Sequence, residues 1–218
     1  MAVKRDHPYI WTTWLTRLLS GDSSCEWAAQ FRAHHETKSY SKVSSGFDAA
    51  RWQMEHTALL NKARAEMEST GANVYIEGQN FFTLRGKTAT LSGKPDLVSI
   101  EGNTGVIADA KTGQQSISHQ IQVLIYMYAL PKALPQYRDV TFEGKLVYPD
   151  EEVFIPSDGV NDGFVTELGG LITRLADSDL AIRTPSKQEC SFCNITIADC
   201  DERIDDYEED DVQRTADF

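Results

Sequence analysis

Two short segments constrain this chain more than any other part of it: GKPDLV at Gly93–Val98 and VIADAKTG at Val106–Gly113. The second reads as a strand, on which Asp109 and Lys111 leave the same face while Ala110 turns the other way, into packing. Asp96 opens the preceding strand directly after Pro95, which has no N–H to give to a ladder and suits a strand start. The five-residue turn EGNTG between them predicts neighbouring strands with Asp96 and Asp109 at one site. Two carboxylates at one point repel each other unless a cation lies between them, and oxygen donors favour Mg²⁺ or Mn²⁺. Such an ion polarises a phosphoryl oxygen and acidifies a bound water, while an adjacent lysine orients that water or offsets charge on phosphorus. These are the requirements of phosphodiester hydrolysis. The bare pattern of acid, any residue and lysine recurs at Glu36–Lys38 and Glu143–Lys145, but only the Asp109 copy follows an apolar run and a strand opened by Pro-Asp.

The surrounding pattern predicts a mixed sheet flanked by helices, an α/β or α+β core. A helical N-terminal region covers about residues 8 to 38, with Ile10, Trp11, Trp14, Leu15, Leu18 and Leu19 at helical spacing. A helix from about Phe47 to Ser69 is closed by Gly71, and a strand-rich stretch runs from about Asn73 to Lys111. There follow a helix over about Ser118–Leu130 ended by Pro131, strands near Thr141–Tyr148 and Val153–Ile155, and a helix over about Asn161–Ala176. No apolar run reaches the roughly 18 residues of a membrane span. Thr12, Thr13, Thr16 and Arg17 break the one stretch that looks like a signal peptide, so a cytoplasmic protein is expected.

The chain has four cysteines, Cys25 and the C-terminal trio Cys190, Cys193 and Cys200, spaced C-x2-C-x6-C. The cytosol keeps thiols reduced, so the trio reads as metal ligands rather than disulfides, and a fourth thiolate has to come from Cys25. Spacing does not separate zinc from an iron–sulfur cluster, since four thiolates suit both.

GKPD, then DAK, then Gln122 and Tyr126 four residues apart on the next helix, with His119 one turn earlier, resemble the RecB-type nucleases of the PD-(D/E)XK superfamily. Within that group the chain is most similar to the iron–sulfur CRISPR-associated protein-four exonucleases and related phage or bacterial exonucleases. The resemblance implies a restriction-endonuclease-like fold. It implies a metal held by Asp96, Asp109, the Ala110 carbonyl and a helical histidine, for which His56 is the match. It further implies Lys111 as the catalytic lysine, with Gln122 and Tyr126 shaping the site and touching DNA. One cysteine before the core and three after it imply a [4Fe–4S] cluster, with zinc as the alternative. Two departures are Glu26 where the family has a proline, and the six-residue final cysteine gap where many members have five. A clip between Cys25 and the trio would close a loop around the whole core and stabilise it by several kcal/mol. The activity implied is trimming of DNA ends, single-stranded among them, in CRISPR spacer acquisition or in recombination and repair, with CRISPR adaptation proteins as partners.

The net charge of −12 is unusual for a DNA-binding protein, but Asp199–Phe218 holds ten acids against two arginines and carries −8 of it. A body at −4 can still present a local basic groove. Arg32, Lys38, Lys42, Arg51, Lys62 and Arg64 precede the core, where a solvated helix face accounts for them as well as a phosphate track does. RGKT at Arg85–Thr88 is no phosphate loop, because the required upstream glycine is Phe81, and the sequon at Asn194 has no export signal beside it. The expected layout is one nuclease domain over residues 1–200, with its core at about 44–180, cluster-binding segments at about 14–40 and 185–200, and an acidic disordered tail at 201–218. The reading from another class is a non-catalytic subunit using the same fold to hold DNA or a protein.

Overall fold

The computed structural model describes residues 2–44 and 46–205; of the expected tail at 201–218, residues 201–205 are described, with Arg203 bonded to the Cys193 and Ile195 carbonyls, and residues from 206 onward lie outside the described residues. In chain order the elements are β1 (Tyr9–Trp11), α1 (Thr12–Leu19), α2 (Glu26–His34), α3 (Ala49–Ser69), β2 (Asn73–Ile76), β3 (Phe82–Arg85), β4 (Thr90–Gly93), β5 (Leu97–Glu101), β6 (Thr104–Ala110), α4 (Ile117–Ala133), β7 (Thr141–Val147), β8 (Glu152–Ile155), α5 (Asp162–Ala176) and α6 (Lys187–Ser191). The expected strands of the Asn73–Lys111 stretch and the mixed sheet are present. A five-stranded sheet has the order β2-β5-β6-β7-β8, parallel between β6 and β7 and antiparallel elsewhere, and a smaller sheet has the order β1-β4-β3.

Side-chain alternation along β6 decides what covers each face of the large sheet. Ile107 packs with Ile121, Val123 and Ile125 of α4, whereas Ala108 and Ala110 pack with Leu59, Ala63 and Met67 of α3. Helix α4 lies close because β7 carries a glycine beneath it: a Cβ on Gly144 would stand 2.4 Å from Val123 Cγ1. Helix α3 starts where Asp48 caps it, accepting from the Arg51 amide at 3.0 Å, and Phe47 meets Trp52 across that cap as a hydrophobic staple. It ends on Gly71 at φ 84, as its sequence predicts.

Three local expectations need correction. Ile10 and Trp11 are not helical but form β1, which pairs in parallel with β4 some 80 residues on. Apolar spacing alone cannot register such a tertiary partner, and the fully buried Ile10 side chain satisfies either pattern. Pro131 lies inside α4, which runs to Ala133: the proline forfeits one donor near the helix end, and the Leu134 amide still returns to the Leu130 carbonyl at 2.9 Å. The turn between β5 and β6 has two residues rather than five, because Glu101 pairs with Thr104 and Gly102 takes φ 60 at the first turn position.

The segment before α2 meets the segment around α6. Glu189, next to Cys190, accepts from the Ser24 amide at 2.6 Å and the Ser23 hydroxyl at 2.7 Å, just before Cys25. Glu26 forms a forked pair with Arg174 of α5, the shortest contact being 2.7 Å. Among the described residues no helix is long and apolar enough to cross a membrane.

Because Val123 is itself fully buried and stiff, Gly144→Ala should destabilise the protein by about 1–3 kcal/mol, read as a lower urea midpoint with an unchanged slope.

Candidate active site and thiol cavity

Pairing of Leu97 with Ala108 sets Asp96, the residue before β5, beside the end of β6. One oxygen of Asp96, Oδ2, accepts from the Ala110 amide at 2.9 Å and lies 3.2 Å from His56 Nε2, delivered by α3. All three residues are buried, and the bond to Asp96 pushes the His56 imidazole above its ordinary range.

Asp109 is 2% exposed. Its Oδ1 accepts from Gln122 Nε2 at 3.3 Å. Its Oδ2 lies 2.6 Å from Lys111 Nζ, close enough for an ion pair but off the direction of a hydrogen bond, so this buried oxygen has no hydrogen-bond partner. The Lys111 ammonium is turned instead toward Gln122 Oε1 at 2.9 Å. Gln122 Nε2 also donates to Tyr126 Oη at 2.9 Å, one turn along α4. Burial pushes the Asp109 carboxyl up to about 6, against the pull of Lys111 and with the repulsion of Asp96 adding to it. Burial likewise raises the Tyr126 phenol, helped by the charge on Asp109.

The structure therefore gathers His56, Asp96, Asp109, Ala110, Lys111, Gln122 and Tyr126 at one place. Gly93 makes room for the last of these: a Cβ there would stand 2.7 Å from Tyr126 Cε1. Supporting residues that sequence reasoning passed over are Asn80, Tyr148 and Trp52. Asn80, fully buried, donates through Nδ2 to the Tyr75 carbonyl of β2 at 2.9 Å and reaches the GKPD loop only by a longer 3.5 Å contact to the Pro95 carbonyl, while its Oδ1 accepts from Tyr137. In sequence it is only the last letter of a polar turn. Tyr148 follows β7 and meets His119 Nδ1 at 2.9 Å; burial and the Lys111 charge hold that imidazole below its usual range. Trp52 stacks on His56 with ring centres 4.8 Å apart, a helical i,i+4 pair that the spacing alone could have flagged.

The four thiols, none in a disulfide, line a single cavity of about 330 Å³. The Arg32 guanidinium points at Cys193 Sγ from 3.7 Å and the Ile204 amide donates to Cys190 Sγ at 3.3 Å. Burial raises the Cys200 thiol, and the neighbouring Cys193 and Cys25 add to it. Among the described residues no three His, Cys, Asp or Glu side chains stand at metal-coordinating geometry, in either place. Both donor sets nonetheless suit an ion: a buried carboxylate oxygen without a hydrogen-bond partner at one, four thiols around one void at the other.

Residues 14–198 match the family model described as the PD-(D/E)XK nuclease superfamily, and the chain belongs to that superfamily. Its activity class is nuclease, and enzymes of this superfamily usually work with Mg²⁺ or Mn²⁺. No curated protein matches the chain significantly. A solved structure described as "Crystal structure of SSO0001" shares 16% identity over 92% of this chain and 90% of that one, with a TM-score of 0.48.

A carboxyl raised by burial contributes stability below its unfolded value that is lost as pH rises through the folded value, here about 6. In chelator-treated protein near pH 7.5, Asp109→Asn should therefore be more stable than wild type by about 1–2 kcal/mol, the gap closing toward about pH 4. Thermal melts across that range measure it; a variant less stable than wild type near pH 7.5 would show that Lys111 already offsets the buried charge. Adding Mn²⁺ should raise the wild-type melting temperature and leave the variant's unmoved.

Proposed function

We propose that the protein is a metal-dependent deoxyribonuclease of the RecB-like branch that trims DNA ends. The observation that carries this reading is the convergence of Asp96, Asp109 and Lys111 at one buried point, with Asp109 Oδ2 lacking a hydrogen-bond partner. Asp96, Asp109, the Ala110 carbonyl and His56 are the residues that would hold Mg²⁺ or Mn²⁺. The bound ion would supply Lewis acidity to a phosphoryl oxygen and an acidified water. Lys111, held out by Gln122, presents its ammonium to the attacking water and the charge gathering on phosphorus as the P–O bond breaks. Gln122 gives both amide hydrogens to Asp109 and Tyr126, so it fixes the lysine's direction; the Tyr126 ring itself is buried in the core, so its part is to hold Gln122 rather than to touch the strand.

The second half of the proposal is a [4Fe–4S] cluster on Cys25, Cys190, Cys193 and Cys200. Its support is the shared cavity and the two N–H groups aimed at sulfur, which stabilise thiolates. On this reading the protein works like the CRISPR-associated protein-four exonucleases it resembles, in a reducing cytoplasm, on DNA ends in spacer acquisition or repair alongside adaptation proteins.

End-labelled single-stranded DNA should be degraded with Mn²⁺ and left intact with EDTA, and Asp109→Ala and Lys111→Ala should each slow the reaction by about a hundredfold or more. Activity equal in wild type and Lys111→Ala would reject the assigned site, and DNA binding without cleavage would favour the non-catalytic subunit. For the cluster, anaerobically purified protein should be brown and carry about four irons per chain. A colourless protein with stoichiometric zinc would refute it.

A further inference from the structure

Helix α3 projects beyond the body before it reaches the site. Each described residue from Ser41 to Glu55 is exposed, and His56 is the first buried one. On this projecting turn stand two aromatic rings, Phe47 at 61% and Trp52 at 38% exposure. They continue a row that starts at the carboxylates: His56 lies 3.2 Å from Asp96, Trp52 stacks on His56 at 4.8 Å with an interplanar angle of 25°, and Phe47 leans on Trp52 at 6.1 Å. The staple at the cap of α3 explains why Phe47 and Trp52 touch, but a staple needs only apolar contact, and it leaves much of both rings in water.

We infer that Phe47 and Trp52 form a stacking platform for an unpaired nucleobase of the DNA strand whose phosphate lies at Asp96 and Asp109. The inference rests on the nuclease reading and deepens it by assigning the residues that would hold an unpaired base. A base inside a duplex has both faces covered by its neighbours, whereas an unpaired base offers a free π-face to a ring, whatever its identity. The charge balance points the same way. The site's own cations are engaged, Lys111 with Asp109, Arg51 with Glu55 and Lys94 with Glu77, on a body whose net charge outside Asp199–Phe218 is −4, so phosphate attraction alone is a weak source of affinity. Stacking supplies binding that does not depend on phosphate charge. Because the staple holds both rings at the start of a capped helix, the platform is set before the strand arrives.

The test measures binding in Ca²⁺ buffer of a fluorescent thymidine oligonucleotide of about fifteen nucleotides, and of the same strand with base-free sugars. Phe47→Leu and Trp52→Leu keep an apolar staple and remove the π-face. Each should weaken binding of the normal strand about tenfold, leave the base-free strand unchanged and leave Mn²⁺ affinity unchanged for Phe47→Leu. The part of the affinity that the leucine variants lose should persist at high salt, while the remainder falls. The platform is overturned if the variants bind the normal strand as wild type does, or lose both strands equally. It is also overturned if the patch seats a second copy of the chain, seen as a concentration-dependent dimer that Phe47→Leu abolishes with DNA binding intact. In those cases cleavage by wild type leaves the nuclease reading standing; wild type that neither binds nor cuts DNA removes both.

Discussion

Asp96 and Asp109 are carried to one point by the antiparallel register of β5 and β6, from Leu97 opposite Ala108 to Glu101 opposite Thr104. Each is 8% exposed or less, so the pair concentrates negative charge where little water reaches it. A slip of one residue would turn Asp109 to the α3 face and Ala110 to the α4 face, separating the carboxylate from Lys111 and Gln122. The tight turn at Gly102 and the parallel pairing with β7 hold that register. Around it the protein spends its hydrogen bonds with economy: the Ala110 amide and His56 share one Asp96 oxygen, and Gln122 alone joins the lysine, the aspartate and the tyrosine.

Much of this was readable in the sequence, for identifiable reasons. The period-two face shared by Asp109 and Lys111 and the period-four face shared by Gln122 and Tyr126 are local properties, and local periodicity survives into the fold. The strand-rich stretch was legible because turn residues separate its short β-prone runs. What escaped was non-local. Nothing near Ile10 announces a partner in β4, and nothing around Asn80 announces that its amide reaches a loop fifteen residues away. His56 is an intermediate case: its helix was predictable, but its place against Asp96 depends on which face of the sheet α3 covers, which small residues such as Ala108 and Ala110 permit.

The contact between the Cys25 segment and the C-terminal cysteine segment does not depend on the thiols alone. Glu189 grips the Ser23–Ser24 segment, Glu26 and Arg174 join α2 to α5, and Arg203 reaches the Cys193 and Ile195 carbonyls at 2.8 and 2.9 Å. Polar contacts of this kind orient more than they stabilise, since exposed ion pairs are each worth little. Their effect is to bring four sulfurs around one cavity.

The parallel pairing of β1 with β4 has a consequence for biosynthesis. During synthesis β1 is made before its partner, which appears only after three helices and two strands have followed. Ile10 and the apolar side of α1 must therefore wait, uncovered, while the middle of the protein is made, and α2 waits longer still for α5. Vectorial synthesis thus keeps the apolar side of this segment uncovered until β4 and α5 have been made.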